Sequence, residues 1–64
     1  MKHKYTLLAW SLTNSYVDFK KTIYKRKKLT SAQEKKLLDR FCYRILDKHN
    51  VLLEADSITY EGMV

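Results

Sequence analysis

From Ser31 to His49 the chain reads SAQEKKLLDRFCYRILDKH, and its apolar positions recur at helical spacing. At 100° per residue Leu37, Leu38, Phe41, Cys42, Ile45 and Leu46 sweep an arc of roughly 180°. Lys36, Asp39, Arg40, Arg44 and Asp47 fill the other side. An arc wider than the ~100° that faces a single core implies contact with more than one neighbour. Ser31 is placed to cap the first turn, and Glu34 to return a bond to the Ser31 N–H, which would complete a capping box. Asn50 suits a left-handed cap at the far end.

Residues 4 to 26 carry a second helical pattern. Tyr5, Leu8, Leu12, Tyr16, Phe19 and Ile23 fall within roughly 80°, and Trp10, Val17 and Tyr24 form a line about 100° away from them. Thr13, Asn14 and Ser15 compete for backbone hydrogen bonds, so a kink is expected at 13–15. A rival pattern runs through the start, where Lys2, Lys4 and Thr6 alternate with His3, Tyr5 and Leu7 at a period of two. On that pattern residues 2 to 8 form a strand and residues 15 to 27 a shorter helix. Leu8 and Ala9 break the alternation, and the long helix is the reading preferred here.

Lys27 to Thr30 is a short connection, which favours antiparallel packing of the helices on either side. The expected fold is therefore all-α: an antiparallel helical hairpin that dimerises. Residues 51–64 hold Glu54, Asp56 and Glu61 and no Lys or Arg. They are expected to form an acidic tail, partly ordered at most, with Ser57 to Tyr60 weakly β-like and Gly62 to Val64 frayed.

Length supports self-association. A single domain of 64 residues buries only about 60% of its unfolded surface and usually needs a staple. Cys42 is the only cysteine, so no intrachain disulfide exists, and a reducing, cytoplasmic setting is expected. The start, MKHKYTLLAWSLTNS, has only about eight apolar residues in its run and no small-residue cleavage site, so it is not read as a signal peptide. No stretch approaches the ~18 apolar residues of a membrane span.

The formal charge is +6, with 13 basic against 4 acidic side chains in the first fifty residues. Lys20, Lys21, Lys25, Arg26, Lys27 and Lys28 are six of nine consecutive residues. They are candidate phosphate contacts, although a solvated helix end whose charges serve solubility and the dipole explains such a run more simply. Cys42 lies within the apolar arc and reads as core filler and not as a nucleophile. His49 stands seven residues from Cys42, about 10 Å along a helix, too far for shared metal ligation. His3 and His49 therefore read as surface or capping residues. No phosphate loop, H-E-x-x-H, C-x-x-C or nucleophile elbow is present. Asp39 and Asp47 read as partners of Arg40, Arg44 and Lys48 in solvent ion pairs. No cofactor, metal or enzymatic activity is expected.

Two functions fit these features. The first is a small accessory or regulatory protein, by analogy phage- or plasmid-like, acting as a homodimer through protein contacts. Its candidate partner or dimer surface comprises Trp10, Val17, Tyr24, Leu38, Cys42 and Leu46. The second is a dimeric DNA-binding regulator. With residues 2 to 8 as a strand, the order of elements over residues 2–46 resembles the ribbon-helix-helix arrangement, without the glycine usual before the second helix. That resemblance implies Lys2, Lys4 and Thr6 as groove-facing residues.

Overall fold

The computed structural model describes residues 1–11 and 17–64 (for Val17, the backbone alone). It contains β1 (His3–Ser11), β2 (Val17–Lys25), α1 (Ser31–His49) and β3 (Ala55–Met63). The three strands form one antiparallel sheet in the order β2-β1-β3. This overturns the all-α hairpin: one helix is present among the described residues, and most of the remaining chain is strand. The expected kink at 13–15 lies outside the described residues.

The segment expected to be a long helix is rich in aromatic and β-branched residues: Tyr5, Thr6, Trp10, Val17, Phe19, Thr22, Ile23 and Tyr24. Such side chains fit a pleated surface. In β1 the period of two continues past the point where the polarity pattern broke. Tyr5, Leu7, Ala9 and Ser11 are buried on the helix-facing side. Leu8 and Trp10, half-buried, belong to the opposite face. The alternation was hidden because both faces of the central strand carry apolar groups.

Residues opposed across a ladder share a face. Tyr5, Leu7 and Ala9 therefore align with Ile23, Lys21 and Phe19 of β2, and with Tyr60, Ile58 and Asp56 of β3. The other face carries Lys4, Thr6, Leu8 and Trp10, flanked by Tyr24, Thr22, Lys20 and Asp18 on β2 and by Thr59, Ser57 and Ala55 on β3. Thr6 is only 8% exposed between Thr22 and Thr59. α1 packs on the first face, and Ile45 is its one fully buried residue.

The expected acidic tail is ordered as β3, the second neighbour of β1. Backbone bonds between Lys2 and Val64, at 2.8 and 2.9 Å, extend the pairing to the end expected to fray. A register shift opposite Lys4/Tyr5 leaves Glu61 as an extra residue on β3. Gly62 beside it adopts φ +98°, a conformation that only glycine enters without strain. The sole glycine is thus spent on a bulge.

β1 is paired on both edges within the chain, so it is not free to pair with a symmetry mate as the ribbon-helix-helix arrangement requires. α1 does run over the expected residues, and Asn50 caps it with φ 52°. Its N-cap, however, is Thr30, one residue earlier than expected. The Thr30 hydroxyl accepts from the Gln33 N–H, and the Gln33 side chain accepts from the Thr30 N–H at 2.9 Å. Thr30→Ala should therefore cost about 1 kcal/mol and Ser31→Ala only a few tenths, measured by urea denaturation. The reverse order would contradict this cap.

Candidate nucleic-acid interface

β2 and α1 flank a groove whose floor is Leu7, Ile23, Leu37 and Phe41 and whose rim is Lys21, Lys25, Arg40 and Arg44; its volume is about 190 Å³. Strand geometry brings Lys21, Ile23 and Lys25 to one side at i, i+2 and i+4. Helix geometry brings Leu37, Phe41, Arg40 and Arg44 to the facing side. Lys36, Arg40, Arg44 and Lys48 follow one another at four-residue spacing along α1. None of the four rim cations makes an ion pair with a described residue. Four cations held around a low-polarity floor repel one another and are suited to an anionic partner. At one end the rings of Phe19 and His49 stand 5.0 Å apart.

The basic run is divided by the strand. Lys21 and Lys25 reach the groove, whereas Lys20 lies on the open face with Leu8 and Trp10. Arg26 and Lys27 are exposed in the connection to α1. The Lys28 Nζ sits 4.8 Å from the centre of the Tyr60 ring. Tyr60 is also 5.2 Å from the Tyr5 ring, and its hydroxyl is 2.8 Å from His3 Nδ1. His3 therefore belongs to an aromatic cluster joining β1, β3 and the connection. The residues that sequence reasoning missed are Arg40 and Arg44, which were assigned to solvent ion pairs. Their four-residue spacing with Lys36 and Lys48 was a usable signal, but only the strand β2 gives that line a facing wall.

The candidate partner residues separate. Trp10 and Tyr24 are not on one helical line. They lie on the open face of the sheet on different strands, six rungs or about 20 Å apart. Val17 is the ladder partner of Ser11, and its side chain lies outside the described residues. Lys4 and Thr6 also lie on the open face, and Lys2 is exposed before β1. Leu38, Cys42 and Leu46 do share a flank of α1, the one toward β3. There Cys42 and Leu46 join Tyr43, Val51, Leu52 and Leu53 around a second groove of about 200 Å³.

The Cys42 thiol donates to Asp56 Oδ2 at 3.1 Å. Burial, then that hydrogen bond and the charges of Asp56 and Asp39, push its pKa up to about 12 from an ordinary 9.0. The thiol is thus an inert donor linking α1 to β3. Among the described residues no group of three or more His, Cys, Asp or Glu side chains is arranged to hold a metal ion, and no helix is long and apolar enough to cross a membrane. Comparison with protein-family models, with characterised proteins and with solved structures returned no match to this chain.

A raised folded-state pKa means that this thiol's contribution to stability is complete below pH 9.0 and is lost as pH rises toward about 12. At pH 8, iodoacetamide should alkylate Cys42 at least about tenfold more slowly than in the urea-unfolded chain. Asp56→Asn should narrow that gap. Equal rates in folded and unfolded protein would contradict the assignment.

Proposed function

We propose that this chain is a small non-enzymatic nucleic-acid-binding protein whose β2–α1 flank holds the phosphate backbone. The observation that carries the reading is the convergence of Lys21, Lys25, Arg40 and Arg44, without ion-pair partners among the described residues, on one groove. Arg26 and Lys27 extend the basic surface beyond the groove. The β3 side carries Asp56 and Glu61, so the charge is divided across the sheet and a polyanion is directed to one flank. Binding would be chiefly to phosphates, because among the described residues no recognition helix or free N-terminal ribbon presents side chains to base edges. A cytoplasmic location and a regulatory or accessory role belong to the same proposal and fit a single, unactivated cysteine.

With about four phosphate contacts, log K should fall against log salt with a slope near −3 for a single strand. The double variant Lys25→Ala/Arg44→Ala should weaken binding at least tenfold at low salt and reduce the slope by roughly 1.4. Lys4→Ala, on the open face, should change neither appreciably. Fluorescence anisotropy with a labelled oligonucleotide at two salt concentrations measures all three. Absence of binding at low salt would end the proposal, and so would an effect of Lys4→Ala equal to that of the groove variants.

A second reading, homodimerisation through protein contacts, draws on a separate observation. Tyr43 is 69% and Leu52 72% exposed beside Leu46, at the second groove. Apolar side chains clustered in this way favour association, and a thin core gains from it. Leu52→Glu should then convert a dimer to a monomer in light scattering. A wild-type chain that is monomeric at high concentration would remove this reading and leave the first untouched.

A further inference from the structure

We propose that the β2–α1 groove receives one unstacked base of a single-stranded nucleic acid, with the neighbouring phosphates on Lys21, Lys25, Arg40 and Arg44. This rests on the nucleic-acid reading above and narrows it to a substrate class. Phosphate attraction alone needs only cations, and an exposed basic surface serves it. Here the cations surround an apolar floor instead. Leu7, 2% exposed, closes the bottom, and half-buried Phe41 lines the groove with Ile23 and Leu37. An aromatic ring between aliphatic groups suits the face of a base, and guanidinium planes such as those of Arg40 and Arg44 add stacking surfaces.

Size limits the occupant. About 190 Å³ is below the ~300 Å³ at which pockets for drug-sized ligands begin. The groove therefore suits one planar group and not a stack of them. A duplex keeps its bases paired and would have to flip one out at a cost, whereas a single strand offers one readily. An acidic peptide would satisfy the cations but bring no obligatory planar group to the floor. The depression on the open face, about 310 Å³ beside Leu8 and Trp10, is larger but includes the Asp18 carboxylate and only one cation, Lys20. That is the poorer match for a polyanion.

The test uses the full chain, three labelled probes of about 12 nucleotides (a thymidine strand, the same backbone with abasic sites throughout, and a duplex) and labelled polyglutamate as a control. Anisotropy at low salt should show the thymidine strand binding at least about tenfold tighter than either other probe. Phe41→Leu, checked for folding by circular dichroism, should bring the thymidine-to-abasic ratio within about threefold. The wild-type ratio alone decides the matter if that variant does not fold. Equal binding of all three probes would overturn the base pocket and leave the phosphate-binding function standing. No binding to any probe would remove both. Polyglutamate binding as tightly as the thymidine strand would overturn the inference in favour of an acidic peptide.

Discussion

The fold depends on β1 being satisfied on both edges while its one helix-facing row supplies most of the core. Tyr5, Leu7 and Ala9 are buried to 2% exposure or less, and among the described residues only Ile45 joins them as a buried apolar side chain. Tyr5 has a further task. Its hydroxyl accepts the Leu29 N–H at 2.8 Å, which fixes the connection just before the Thr30 cap. Its ring packs on Tyr60 of β3. One side chain thus joins the central strand, an edge strand and the start of the helix. A buried aromatic of this kind supplies packing area together with a directional polar handle. In a chain with so small a core, one side chain that ties three elements together carries a large share of the packing.

The placement of charge follows from that arrangement. α1 must lie over the row headed by Tyr5, so its two flanks face β2 and β3 separately. Toward β3 the contact is a thiol–carboxylate hydrogen bond, donated by Cys42 to Asp56. Toward β2 the corresponding positions are Lys21 and Lys25, which line the groove together with Leu7, Ile23, Leu37 and Phe41. Repulsion among these cations opposes stability in the free protein. A bound polyanion would relieve it, so binding and folding are coupled in the same direction. The groove is where the sequence least resembles an optimised core, as the proposed function would require.

The helix was legible because every local signal agrees: periodicity, an N-terminal hydroxyl, acid in the first turn and Asn50 at the end. Even so, the cap fell one residue early, since Thr30 and Ser31 are both competent and Gln33 serves as well as Glu34. The strands were legible only in part, in the alternation of residues 2 to 8 and the weak β character of Ser57 to Tyr60, and the rest was hidden for physical reasons. Leu8 and Trp10 place apolar bulk on the open face of β1, and Lys21 and Lys25 place charge on the helix-facing row of β2, so polarity no longer tracks the period of two. β3 pairs with a strand some fifty positions away, a relation that no local pattern records. The basic run was visible, but read as a helix it grouped Lys21 and Lys25 with Tyr24. The strand puts Tyr24 on the opposite face and groups the two lysines with Arg40 and Arg44.

On the proposed function, nucleic acid would meet the concave β2–α1 flank and not the open face of the sheet. Amide and side-chain chemical-shift mapping during titration of the isotopically labelled protein with a thymidine oligonucleotide tests it directly. Perturbations should concentrate at Lys21, Ile23, Lys25, Arg40, Phe41 and Arg44, with Lys4, Thr6 and Trp10 little affected. Perturbations centred on Lys4, Thr22, Tyr24 and Trp10 would contradict it and move the function to the other side of the sheet.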